Sequence, residues 1–257
     1  MPEGDTIRWH ASRIAPALVG RAPERITTHE RFSRDRWPER LTDRTVTAVD
    51  TYGKHLFIRF EGGLSLHSHL GMVGSWGVYG DGHRWSRSRR RAWIIIRAGG
   101  TDVVQFDGST LQLLTDGRTR FDRRLAALGP DVLADEFDSE RFLRRLRESD
   151  PTRGIGDALL DQTIVAGIGN MWKAEACWDA AIDPWRKVEH VTDAEALTLI
   201  DAARPRMLES AVGGPRVIAP HVYKLGGRPC ARCGTVIRSR GQGDANRTAY
   251  WCPGCQR

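Results

Sequence analysis

The sequence is short of several things, and each shortage narrows what the chain can be. No apolar run approaches the roughly 18 residues that a membrane span needs, and the N-terminus lacks the apolar core of a secretory signal. A cytoplasmic protein is expected, nucleoid-associated if bacterial, with no membrane partner. There is no long low-complexity stretch and no internal repeat beyond two Cys-x-x-Cys pairs, which excludes a repeat architecture. Cysteine is scarce: of five, four fall within the last 28 residues and Cys177 stands alone. In a reducing compartment such pairs are metal ligands sooner than disulfides. Cys177 reads as a small buried apolar residue rather than a nucleophile. Negative charge is also in deficit, 32 Asp and Glu against 39 Lys and Arg, a formal charge of +7. That excess suits a polyanion, with nucleic acid as the default partner.

At 257 residues the chain can hold two domains, or one with an appendage. Ile7, Ala11, Ile14 and Leu18 recur at helical spacing and predict a helix over 4–20, bent or shortened near Pro16. From about 23 to 116 the pattern turns to strands, expected at 44–51, 54–60, 63–70, 92–98, 102–106 and 109–115, with Gly62-Gly63, Gly99-Gly100 and Asp107-Gly108 as turns. Beyond 120 it is helical, with segments at 139–148, 155–163 and 170–180. A capping box at Thr192 and Glu195 opens a further helix to about 212, kinked at Pro205 and stopped by Gly213-Gly214-Pro215. The expected class is α+β in two domains. An antiparallel β-sandwich with an N-terminal helix fills 1–120 and a helical domain 121–215, followed by a cysteine-bearing finger over 216–257.

Three places carry chemistry. Removal of Met1 would leave Pro2 as a secondary amine able to form an iminium with a carbonyl-like carbon, with Glu3 beside it to move protons; the plain alternative is an ordinary start followed by a helix. Cys230, Cys233, Cys252 and Cys255 have the spacing of a zinc ribbon, and four thiolates leave the metal no open position for water. Arg238, Arg240 and Arg247 on that hairpin would clamp phosphates or be merely solvated. The loop Gly167-Ile168-Gly169-Asn170 permits close backbone approach and leads into a helix start whose N–H groups suit a phosphate. Lys54 at a strand turn, and five arginines between Arg84 and Arg91 around Trp85, are open to either reading.

Met1–Thr6 (MPEGDT), YGKHL, SHLGMVG, LDQTIVAGIGN and NRTAYWCPGCQ stand in one order. In that order they resemble the formamidopyrimidine-DNA glycosylase and endonuclease VIII family over nearly the whole chain. The PEGDT start is closer to the endonuclease VIII branch. The resemblance implies a helix–two-turn–helix motif and a bifunctional DNA glycosylase and abasic-site lyase that repairs oxidised bases, pyrimidines by preference. Pro2 would be the Schiff-base nucleophile, Glu3 the general acid/base, and Lys54 a phosphate contact that assists catalysis. Asn170 and Arg247 would grip phosphates flanking the lesion. Met72 would fill the gap left by the extruded base. One structural zinc is implied, with no catalytic metal or organic cofactor. The partner would be damaged double-stranded DNA, or bubble or single-stranded DNA, lying across a cleft between the domains and bound by a monomer. Two departures stand out. Asp116–Phe121 matches the other branch's opposite-strand loop only loosely, and Gly71 and Val73 replace bulky neighbours of the wedge. The rivals are an inactive paralogue that binds damaged DNA and a zinc-ribbon protein without enzymology.

Overall fold

A computed structural model describes residues 2–257, without the side chains at 120 and 121. The chain forms two compact units, Pro2 with Thr6–Ala126 and Glu3–Asp5 with Ala127–Arg257.

The first unit is a β-sandwich with a helix. Its elements are α1 (Gly4–Leu18), β1 (Arg25–Thr28), α2 (Trp37–Leu41), β2 (Val46–Tyr52), β3 (His55–Phe60), β4 (Leu64–His69), β5 (Ser75–Gly80), β6 (Ala92–Ala98), β7 (Thr101–Phe106), β8 (Thr110–Thr115), α3 (Asp116–Phe121) and α4 (Arg123–Ala126). Two antiparallel sheets, ordered β2-β3-β4-β8 and β1-β6-β7-β5, put their inward residues into one core. Leu56, Ile58, Leu66, Ile94, Ile96 and Val103 meet there with Ile7, Ile14 and Leu18 of α1. The helical spacing of those α1 residues is thus one buried stripe, and Pro16 is tolerated inside the last turn. Two strands escape the sequence pattern. β1 has only four residues, and β5 (SWGVYG) is broken by glycines that carry no apolar signal.

The second unit is helical with an appended hairpin: α5 (Ser139–Glu148), α6 (Ile155–Ala158), α7 (Asn170–Asp179), α8 (Asp193–Gly213), β9 (Arg238–Gln242) and β10 (Arg247–Trp251). Phe142, Leu146, Ile155, Trp172, Leu199 and Met207 share its core. The Thr192–Glu195 capping box is present, and α8 runs through Pro205 to a left-handed Gly214 (φ 94°). The helix expected over 155–163 stops at Ala158. Asp161 there turns the chain by accepting from the Thr163 N–H (2.9 Å) and hydroxyl (2.7 Å). Gln162 then braces the glycine loop, accepting from Gly167 N (3.1 Å) and donating to Ile168 O (3.0 Å). Polar side chains competing for the backbone end the helix early.

Candidate active site

Glu3 follows Pro2 directly, and its carboxylate is 3% exposed. Oε2 accepts from Gly169 N (2.9 Å) and Trp172 N (3.2 Å), and Oε1 from Met171 N (2.8 Å). These are orphan donors at the start of α7, where the helix dipole also favours an anion. The neighbouring Gly4 N donates to Gly167 O at 2.9 Å, pinning the N-terminal segment to the same loop. Gly169 is needed for the fit, since a Cβ there would overlap the Glu3 carboxyl carbon. The N–H groups expected to be exposed for a phosphate are therefore filled from within the chain, by Glu3. Asp5 is seated as well, accepting from Ser210 Oγ at 2.5 Å.

Asn170 opens α7 and is 8% exposed. Its Nδ2 donates to Thr248 O (2.9 Å) on β10, while its Oδ1 has no hydrogen-bond partner among the described residues. Arg247 begins β10 beside Thr248, opposite Gln242 of β9. Asn170 thus ties the helix start to the strand that carries Arg247. Of the other finger arginines, Arg240 stacks on Trp185, 4.0 Å from the ring centre, and Arg238 is exposed.

The four finger thiols lie within 4.8 Å of one another. Cys230 and Cys255 sulfurs are 3.8 Å apart and those of Cys233 and Cys252 3.5 Å. A tetrahedron of zinc–sulfur bonds of about 2.3 Å has edges of about 3.8 Å, so the set fits one ion, whereas a disulfide would need about 2 Å. Trp178 Nε1 (3.3 Å) and the Arg232 amide (3.4 Å) donate to the Cys230 sulfur, as suits a thiolate.

Lys54 and Met72 belong to the first unit. Lys54 follows Gly53 (φ 55°) in the turn between β2 and β3 and is half-buried. Met72 is 65% exposed on the turn between β4 and β5, a large apolar side chain presented to solvent. Arg87 braces that turn, donating to Val73 O (2.7 Å) and pairing with Asp107 (3.0 Å), which also binds Arg91 (2.5 Å). Two of the five arginines in the 84–91 run are thus committed within the unit. Pro2 is half-buried and groups with the first unit. Met1, whose removal would free its nitrogen, lies outside the described residues.

Sequence reasoning missed a cluster of histidines next to Lys54. Gln112 Nε2 donates to His67 Nδ1 (2.9 Å), so His67 carries its proton on Nε2 and donates to His55 Nδ1 (2.8 Å). His69 Nδ1 accepts from Gly71 N (3.2 Å) and lies 2.7 Å from Ser109 Oγ, whose hydroxyl donates to the His69 carbonyl (3.1 Å). These bonds set all three rings to the Nε2–H tautomer. They line a cavity of about 370 Å³ with Thr110, Gln112 and Asp122. Burial pulls His55 down to about 3 and His67 to about 4, and lowers His69 too, with the neighbouring rings and Lys54 adding to the effect on His55. The signal was present as strand periodicity, because His67 and His69 are two apart on β4 and His69 faces His55 in register. A second omission, Glu175, accepts from the amides of His221, Val222 and Tyr223 at 2.7–3.0 Å and pairs with Arg206. It anchors the connection to the finger.

Two family models match the chain. One describes the formamidopyrimidine-DNA glycosylase N-terminal domain (residues 1–119) and the other the formamidopyrimidine-DNA glycosylase H2TH domain (residues 128–218). A probable endonuclease 8 2 of Streptomyces coelicolor is 40% identical, covering 100% of this chain and 94% of that protein. The DNA-(apurinic or apyrimidinic site) lyase Nei2 of Mycolicibacterium smegmatis is 34% identical over 100% and 99%. Among solved structures, Lactococcus lactis Fpg in complex with DNA containing an oxidised pyrimidine superposes with a TM-score of 0.85 at 23% identity, covering 100% of both chains. The same fold with abasic-site DNA gives 0.84, covering 99% of each.

Proposed function

The chain belongs to the formamidopyrimidine-DNA glycosylase and endonuclease VIII family, and from that premise we propose that it excises oxidised bases from DNA and cleaves the abasic strand. The observation that carries this reading is the Glu3 carboxylate, held by three backbone N–H groups at the start of α7 immediately after Pro2. A carboxylate so bound is fixed in place, as a group that moves a proton in a set geometry must be.

In this reading the Pro2 nitrogen bonds to the sugar C1′ as the glycosidic bond breaks, and that bond's electron pair leaves with the base. Glu3 transfers the proton that lets the sugar ring open to the iminium. Proton loss from C2′ expels the 3′ phosphate, and a second elimination expels the 5′ phosphate. Lys54, Asn170 and Arg247 hold phosphates around the lesion, and exposed Met72 occupies the space of the extruded base. Oxidised pyrimidines are the preferred substrates, on the likeness of the Pro2–Thr6 start to the endonuclease VIII branch. Cys230, Cys233, Cys252 and Cys255 hold one zinc, which folds the finger and, having a closed shell, takes no part in the chemistry.

The test is borohydride trapping on a duplex with one oxidised pyrimidine, after intact mass has confirmed loss of Met1. A covalent adduct is expected from the mature protein, lost or greatly weakened in Pro2→Gly and weakened in Glu3→Gln. Tight binding without an adduct, on that lesion, an oxidised purine or an abasic site, would make the chain a damage-binding paralogue.

A further inference from the structure

The turn between β4 and β5 presents two large apolar side chains to solvent. Leu70, 1% exposed, plugs its start into the sandwich core, whereas Met72 and Val73 at the tip are 65% and 59% exposed. The Gly74 amide donates to Leu70 O at 2.9 Å and closes the turn. Gly71 enters it with φ 60°, and a Cβ there would stand 3.0 Å from the Ser109 Cβ. No bulkier residue fits beside Met72 on that side unless Ser109 moves. A glycine has the most backbone freedom to lose, so a fixed tip needs ties from outside the turn. Arg87 supplies one on the far limb, through Val73 O.

His69 supplies the other. It ends β4, held in register between His55 of β3 and Thr110 of β8. Its Nδ1 accepts from the Gly71 amide at 3.2 Å, so that nitrogen carries no proton and the neutral ring has its N–H at Nε2. Ser109 steadies the strand end, its amide (3.0 Å) and hydroxyl (3.1 Å) both donating to the His69 carbonyl. A proton on Nδ1 would turn to Ser109 Oγ, 2.7 Å away, and leave the Gly71 N–H facing another donor. Burial, with Lys54 adding to it, lowers the pKa of the ring and so favours the neutral form. We propose that His69 is a positioning residue for Met72: its Nδ1 lone pair ties the Gly71 N–H and, with Arg87 on the opposite limb, fixes the turn so that Met72 is presented in one place. The inference rests on the reading of Met72 as the side chain that fills the space of the extruded base. With Gly71 and Val73 beside the wedge, order comes from two side-chain ties rather than from bulky neighbours.

In the wild type, the imidazole 15N shifts of His69 should show Nδ1 as the unprotonated nitrogen; a protonated Nδ1 would overturn the proposal before any variant is made. His69→Asn puts Oδ1 in the place of Nδ1 and keeps the acceptor. His69→Gln keeps a donor near the place of Nε2 but leaves the Gly71 N–H without an acceptor, and His69→Ala serves in its stead if that variant does not fold. Exchange of the Gly71 amide should quicken about fivefold in His69→Gln, the scale of one lost hydrogen bond, and stay near wild type in His69→Asn. The functional readout is a duplex in which 2-aminopurine faces a tetrahydrofuran abasic analogue, at saturating protein. The fluorescence change that Met72→Ala abolishes should be diminished in His69→Gln and retained in His69→Asn. Exchange at the wild-type rate without the acceptor, or quickened exchange with unchanged fluorescence, would overturn the proposal. A fluorescence change indifferent to Met72→Ala would sink the reading of Met72 itself, while the exchange result still decides the tie to Gly71.

Discussion

Glu3 and Gly169 are two ends of one contact 166 residues apart, and each constrains the other. Gly169→Ala would force a methyl into the Glu3 carboxyl carbon, so either the N-terminal segment or the helix start must move. The expected result is a loss of about 2 kcal/mol in urea unfolding and at least a tenfold drop in trapped adduct, the scale usual for a buried overlap. Stability and adduct both at wild-type level would show that the Glu3 seat is dispensable. Glu3→Gln is subtler. It keeps the volume but turns an amide NH2 toward N–H donors, leaving one or two backbone groups unsatisfied at about 1–3 kcal/mol. Loss of activity in that variant must therefore be read beside its stability.

Among the elements, the Met72 turn and the zinc finger depend on contacts remote in sequence. Arg87→Ala removes the donor on Val73 O while Arg91 still holds Asp107. Hydrogen exchange should quicken at 71–74 with little change in melting temperature, and unchanged exchange would remove Arg87 as the brace. A chelator that strips the finger should melt the β9–β10 hairpin, whose small core of Val222, Cys230, Ile237 and Cys252 rests on Ala174 and Trp178 of α7, and abolish DNA binding. Full binding without metal would contradict the closed site. How legible these elements were follows from their physics. The long sandwich strands, α5, α7, α8 and the four thiols announce themselves by period, capping or spacing. β5 does not, because glycine carries no pattern. The seat of Glu3 was only half legible: the helix start and its glycines could be read as an anion site, but no local signal says that the anion comes from the chain's own third residue. The imidazole cluster needed strand register, which depends on pairing between β3 and β4 and on β8.

For the whole molecule, the buried bases decide how stability responds to pH. His10 and His67 are pulled down to about 4 and His55 to about 3, chiefly by burial, and all three lie in the first unit. The unfolded chain protonates these rings near 6.5, while the folded one resists until far lower. Between those limits the unfolded state binds more protons, so stability is full above about 6.5 and is lost as pH falls toward 4. Each histidine can contribute up to about 1.4 kcal/mol per pH unit in that window. The carboxylates of Asp150, Asp161 and Glu195, held down by hydrogen bonds and by Arg153 or Arg186, add a further loss only at lower pH. Melting should therefore begin to fall between pH 6.5 and 5, before the acidic residues titrate. The paired change His55→Asn with His67→Gln should flatten that fall. A melting temperature constant from pH 7 to 5 would mean that the rings accept protons in the folded state. The chain of Nε2–H donors from Gln112 through His67 to His55 would then be wrong, because a protonated His67 has no lone pair left for Gln112.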